Sequence, residues 1–307
     1  MAKLPATRSE DANWLAQRES GSMVGMRALA WVALRLGRPV ARLILRPVAL
    51  WYVLAARTAR RSSREYLGRV MGCPASWRDI YHHLLTFAEV TLDRAYFLSG
   101  RHAGFEVHRH GSAEIRELHA RGQGAILVGA HFGSFEAMRT VARSHQIPVA
   151  VVVHTDNARR MKAVLDSVED PSMRTEVVGI DPRDPGHVFQ VKDLVESGRM
   201  VALLGDRVGL TERAVTVEFL GRPVRVPTGP YVLASVLRCP LAMVFGVYTR
   251  PNRYDLHLEV LADPVKLPRR AREEAMRAYA QRFMDRLTEH LRGAPLNWFN
   301  FYAYWDQ

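Results

Sequence analysis

Between residues 106 and 261, short apolar runs alternate with stretches of helical periodicity. This alternation constrains the chain more than any other feature. The runs are AILVGA (125–130), PVAVVVH (148–154), TEVVGI (175–180), MVALLGD (200–206) and PLAMVFGVY (240–248). Each is short for a helix and too continuously apolar for a strand with one wet face. Each therefore reads as a strand covered on both faces. Helices are expected at 112–121, 134–145, 156–168, 187–197 and 229–238, with a last one over 268–291. EVHRHG (106–111), a short segment near 215–219 and YDLHLEVL (254–261) complete the strands. The pattern predicts an α/β domain with a mainly parallel central sheet flanked by helices. A chain of 307 residues can bury a full core around such a sheet.

What precedes the alternation is different. Residues 1–20 are polar and mixed in charge, without the apolar stretch that a secretory signal needs. Residues 21–100 read as helical, and 101–307 as the α/β domain. The longest charge-free run in 21–61 is ten residues, Pro47 to Ala56, against the ~20 of a simple membrane span. Arg35, Arg38, Arg42 and Arg46 recur every three or four residues, an arc of about 80° on a helix. They are set against Trp31, Leu34, Leu36, Leu43, Leu45 and Leu50. That is the pattern of a basic amphipathic helix lying in a membrane interface, with Trp51, Tyr52 and the following Arg57, Arg60, Arg61 and Arg64 as anchors. The alternative is an ordinary amphipathic helix packed on its own domain. Residues 77–98 read as a further amphipathic helix.

Charge points to an anionic partner. Lys and Arg number 43 against 31 Asp and Glu, for a net charge of +12. Nucleic acid, an anionic membrane surface or phosphorylated substrates all fit such an excess, although genome bias towards arginine gives the same composition. The two cysteines, Cys73 and Cys239, are far apart and lack metal-type spacing. His82, His83, His108 and His110 lack a familiar ligand pattern as well, so no metal and no cofactor are expected.

In an open α/β sheet, active residues gather at the carboxyl ends of strands. Four ends carry polar residues: His131, His154 to Asp156, Asp181, and Asp206-Arg207. His131 and Glu136 form the strongest pair. On a regular helix they would lie roughly 140° apart, so they meet only if His131 precedes the helix and the chain turns between them. Gly133 permits that turn and Ser134 is a good N-cap. Glu136 could then fix the imidazole tautomer and leave the other nitrogen as a general base for a hydroxyl. Asp156, Asn157, Arg159 and Arg160 open a helix after a strand, where they could hold a phosphate or sugar or simply cap it. Asp206-Arg207 poses the same choice, and Thr228-Gly229 could cap the following helix or touch a ligand.

In their order, these motifs resemble the bacterial lipid A biosynthesis acyltransferases, the late lauroyl/myristoyl transferases of the lysophospholipid acyltransferase superfamily. That superfamily is marked by a His, four intervening residues and an acid, here His131 to Glu136. Thr155-Asp156-Asn157, Gly205-Asp206-Arg207 and Thr228-Gly229 are similar to the segments that follow it. The resemblance runs from about Trp14 to Trp305. It implies an enzyme at the cytoplasmic face of the bacterial inner membrane, peripheral or monotopic. Such an enzyme moves a fatty acyl chain from an acyl carrier protein or coenzyme A thioester to a hydroxyl of a glycolipid. His131 would be the base, Glu136 its partner, and Ser134 and the other motif residues would bind substrate. Arg159 or Arg160 would serve the tetrahedral oxyanion. Anionic lipids and an acidic carrier would account for the basic surface. The chain departs from the family at its end, where Asn297 to Trp305 is aromatic without the usual basic tail, and at Asp206-Arg207, where an acidic pair is usual. Both departures fall where the acceptor should bind, which leaves open lipid A, another membrane glycolipid or a polyketide-type lipid. Two other readings compete: a hydrolase using the same pair on water, and a basic nucleic-acid-binding protein, for which no binding module is recognisable.

Overall fold

A computed structural model describes residues 23–154, 176–180, 186–209 and 213–306. Four helices come first: α1 (Met23–Leu36), α2 (Arg38–Ala55), α3 (Arg57–Met71) and α4 (Trp77–Leu98). Then follow β1 (Glu106–His110), α5 (Ser112–Ala120), β2 (Ala125–Gly129), α6 (Phe135–Ser144), β3 (Val149–His154) and β4 (Glu176–Ile180). After these come α7 (His187–Glu196), β5 (Met200–Leu204), β6 (Ala214–Phe219), β7 (Arg222–Pro227), α8 (Gly229–Leu237), β8 (Leu241–Thr249), β9 (Arg253–Ala262) and α9 (Arg272–Gly293). The expected α/β architecture is present. Seven strands form a central sheet in the order β1-β9-β8-β2-β5-β3-β4. It is parallel except where β9 runs antiparallel to β8. The helix expected at 156–168 lies outside the described residues.

Each apolar run does what a doubly covered strand must. Ile126 and Val128 of β2 face one core, shared with Tyr231 of α8 and Phe283 and Leu287 of α9. Ala125 and Leu127 face the other, shared with Ile115 of α5 and Phe135 and Met138 of α6. One strand was not anticipated. RPVRVP (222–227) holds two prolines and two arginines and reads as a loop, yet it pairs antiparallel with β6 as a separate two-stranded ribbon. An edge position tolerates proline, and its inward residues Val224 and Val226 are buried.

The N-terminal helices overturn part of the amphipathic expectation. Gly37, at φ +90, and Pro39 separate α1 from α2. In α2 two of the four spaced arginines turn inward rather than towards a lipid surface. Arg38 is bidentate to Asp93, at 2.7 and 2.6 Å, and Arg42 bonds Glu89 at 2.8 Å. Both also donate to the Pro251 carbonyl. Leu45 is buried, whereas Trp31, Leu43, Trp51 and Leu54 are 59% to 64% exposed. Buried carboxylates on α4 cause this inversion: Glu89 and Asp93 need cations, and α2 supplies them. No single described helix is long and apolar enough to cross a membrane, although α2 and α3, which meet at 94°, satisfy length and composition together.

Helix α4 thus works as a polar spine. It starts at a capping box, in which Ser76 and Asp79 exchange hydrogen bonds. Its buried polar residues then reach the N-terminal helices, β8, β9 and the chain's end. Replacing Asp93 with alanine strands the Arg38 guanidinium beside Tyr248 and Tyr254. The expected loss of stability is about 3–5 kcal/mol, read as a lower urea midpoint. Lys192→Ala, in an exposed pair with Glu196, should leave the midpoint unmoved.

Candidate active site

Strands β2 and β5 are neighbours, with Gly129 opposite Leu204. Two residues beyond each lie His131 and Asp206, so the register that pairs the strands also pairs these side chains. The Gly205 N–H still donates to the Gly129 carbonyl at 2.9 Å, which carries the pairing past the strand ends. His131 Nδ1 lies 3.0 Å from Asp206 Oδ1, and the His131 backbone N–H donates to Oδ2 at 3.0 Å. The imidazole is 29% exposed and the carboxylate not at all.

The pairing expected between His131 and Glu136 is not what the fold makes. Glu136 is ion-paired to Arg94 of α4 at 2.7 Å. The turn between them is as expected. Gly133 has φ +72, and a side chain there would collide with the Gly246 carbonyl. Ser134 caps α6 through its Oγ, which accepts from the Ala137 N–H at 3.2 Å. The turn aims Glu136 at α4 rather than back at the histidine. Glu136 therefore holds the start of α6 against α4, at a helix end where a negative charge is favoured.

Electrostatics divide the roles within the pair. Burial and the Arg207 guanidinium lower the His131 imidazole below its ordinary value and outweigh the opposing pull of Asp206. For Asp206, burial works against the charge. The His131 contacts and Arg207 outweigh it and hold the carboxyl well below its ordinary range. The stable state near neutral pH is a neutral imidazole on an ionised carboxylate. With Nδ1–H given to Asp206, Nε2 carries the lone pair and can take a proton from a hydroxyl or water.

The remaining expected residues are distributed unevenly. Arg207 stays at the site, with Nε donating to Asn300 Oδ1 at 2.6 Å and its guanidinium over the Tyr302 ring. Ser134 is buried and its hydroxyl is occupied by capping. Thr228 does not cap α8. Its hydroxyl donates to the Arg213 carbonyl at 3.1 Å and ties the end of the β6–β7 ribbon, and Gly229 opens α8 behind it. Asp156, Asn157, Arg159, Arg160 and Asp181 lie outside the described residues. On the α5–α6 face of the sheet an apolar cavity is lined by Leu127, Phe135, Met138, Ala142 and Val244, with Arg109 and His145 among its polar residues. Sequence reasoning missed Trp298 and Asn300, both buried and both donating to Asp206 Oδ2, at 3.3 and 3.4 Å. Their signal was the aromatic, asparagine-bearing end of the chain.

A base backed by a buried carboxylate, at the carboxyl edge of an α/β sheet, is the equipment of an enzyme that activates a hydroxyl or water. Family comparison narrows the class. Residues 22–307 match the profile of the bacterial lipid A biosynthesis acyltransferases. The chain belongs to that family and is an acyltransferase. No curated protein shows a significant match to it.

The geometry ranks the two acids. Asp206→Asn should lower turnover by roughly 10³- to 10⁴-fold, as loss of a histidine's orienting carboxylate does elsewhere. Glu136→Gln should cost far less turnover and lower the melting temperature. In the parent enzyme, kcat/KM should stay level on acidification through the ordinary imidazole range, about 6.5, and fall only below it as His131 takes up a proton. Rate measurements from pH 4 to pH 9 check both expectations.

Proposed function

We propose that this acyltransferase moves a fatty acyl chain from a thioester donor to a hydroxyl of a membrane glycolipid, with His131 as general base and Asp206 as its orienting partner. The observation that carries this reading is the His131–Asp206 contact through Nδ1, with Nε2 meeting no partner among the described residues and the ring partly exposed. His131 Nε2 removes the hydroxyl proton as the oxygen attacks the thioester carbonyl. The tetrahedral intermediate collapses, the carbon–sulfur bond breaks, and the proton passes from His131 to the departing thiolate. Asp206 stabilises the imidazolium formed in between. Arg159 or Arg160 is assigned to the oxyanion. The donor is an acyl carrier protein or coenzyme A thioester, which an arginine-rich surface would attract. The acceptor is lipid A or a related outer-membrane glycolipid.

The same reading places the enzyme on the cytoplasmic face of the inner membrane. Trp31, Leu36, Leu43, Leu50, Trp51 and Leu54 form an exposed apolar face on α1 and α2, a surface that calls for an apolar partner. Arg57 and Arg61 lie just beyond it and are exposed, suited to anionic headgroups. The acyl chain is assigned to the cavity beginning at Phe135, four residues from His131.

His131→Ala should abolish transfer from an acyl thioester while leaving the melting temperature and vesicle binding near those of the parent. A fully active variant would sink the reading. Hydrolysis of the thioester at an equal rate with and without a hydroxyl acceptor would favour a hydrolase instead. Ala142→Phe should shift the preferred donor to shorter chains, seen as a change in kcat/KM across a donor series. An unchanged preference would separate the cavity from the acyl chain.

A further inference from the structure

The chain's last segment is built against the candidate pair from both sides. After the 3₁₀ turn Pro295–Asn297, the backbone runs antiparallel to His131–Gly133. The Gly133 N–H donates to the Asn297 carbonyl at 2.9 Å, and the Phe299 N–H donates to the His131 carbonyl at 2.7 Å. Trp298 bridges Phe132 between them. Three side chains then reach Asp206. Trp298 Nε1 and Asn300 Nδ2 donate to Oδ2, and Tyr304 Oη donates to the Asp206 backbone carbonyl at 2.6 Å.

This segment is itself anchored. The Asn297 side chain accepts from the Tyr248 N–H at 2.8 Å and donates to the Tyr248 carbonyl at 3.1 Å. The Trp298 carbonyl accepts from His83 Nε2 at 2.8 Å. His83 Nδ1 in turn accepts from the Ser63 hydroxyl, also at 2.8 Å. Burial lowers His83 to about 4, so it remains neutral at the pH where the enzyme works and keeps this one-donor, one-acceptor arrangement. Arg207 donates to the Phe299 carbonyl at 3.0 Å and to Asn300, closing the segment over the site.

The two carboxylate oxygens are loaded unequally. Oδ2 receives three N–H donors, from the His131 backbone, Trp298 and Asn300. His131 Nδ1 spans both oxygens, 3.0 Å from Oδ1 and 3.2 Å from Oδ2. A carboxylate can rotate about its Cβ–Cγ bond, and donors on one oxygen fix which edge faces the ring. Shape alone does not require a tryptophan here. Its ring fills the core between Tyr66, Phe219 and Tyr304, and a phenylalanine would fill much of the same space, but it would lack the N–H.

We infer that the aromatic end of the chain, residues 297–304, is a catalytic strap in which Trp298 and Asn300 are positioning residues that orient Asp206 towards His131. The inference rests on the reading of His131 and Asp206 as base and partner. It gives this aromatic segment a job: Trp298 and Asn300 complete the acid–base machinery from within.

The test compares Trp298→Phe with Trp305→Phe in the full-length enzyme. Trp305 lies on the same segment and in the same aromatic cluster, but its indole donates to the Phe219 carbonyl rather than to Asp206. Trp298→Phe should lower kcat by about ten- to hundredfold, the effect of losing one hydrogen bond to a charged group, with KM for the thioester donor held. Its acid limb should also move to higher pH, because a carboxylate with one donor fewer directs more of its charge at the imidazolium. Trp305→Phe should lower the melting temperature and leave the pH profile in place. Asn300→Ser, a smaller change, should give the Trp298→Phe signature even if the latter fails to fold. Parent-like kcat and acid limb in both Trp298→Phe and Asn300→Ser, beside an inactive His131→Ala, would overturn the strap and spare the assignment of His131. An active His131→Ala would remove the assignment and the strap together.

Discussion

The parallel pairing of β2 with β5 is the constraint on which the rest of this structure depends. It aligns Gly129 with Leu204 and therefore carries His131 and Asp206, 75 residues apart in sequence, to one point at the sheet edge. Everything nearby is arranged around that contact. Gly133 turns the chain away immediately after the histidine, because a side chain there would strike β8. Trp298 and Asn300 close over the carboxylate, and Arg207 bridges the two segments. Loss of the β2–β5 register by one residue would send one partner to the opposite face of the sheet.

A second theme is the use of buried charge as a fastener. Asp93 and Glu89 on α4 would be costly alone in the core. Asp93 is matched by Arg38 of α2, and Glu89 by Arg42 of α2 and Arg250 just after β8, with tyrosine hydroxyls completing the set. Such pairs contribute little net stability over an apolar packing, but breaking them is expensive. They also have a surface consequence. With Arg38 and Arg42 drawn inward, α2 turns apolar residues outward, and the exposed face of α1 and α2 is greasier than a helical wheel of the sequence suggests. The inversion strengthens the proposed membrane contact while changing its chemistry, from arginine–phosphate pairing towards aromatic and aliphatic insertion.

Helix α4 links these themes. It holds the N-terminal helices through Glu89 and Asp93, holds α6 through Arg94 and Glu136, and holds the chain's end through His83. The acid of the His-x4-Glu motif is thus part of the frame, and the carboxylate that touches the histidine comes from a later strand.

The sequence by itself determined the fold class, the positions of nearly all the strands, the turn at Gly133 and Ser134, the family, and the place of His131 at a strand's carboxyl end. These are local properties: continuous apolar runs, glycine freedom, a cap, a motif within six residues. It did not determine that Asp206 rather than Glu136 is the imidazole's partner, because strand order is not written in any one strand. It likewise did not reveal that Arg38 and Arg42 face inward, since their carboxylates lie on α4, nor that Trp298 and Asn300 reach Asp206 from the far end of the chain. Strand β7 was hidden by its prolines, which an edge ribbon tolerates. Only the tertiary structure decided these matters, because each is a contact between segments distant in sequence, and periodicity reports which face a residue takes but not what that face will meet.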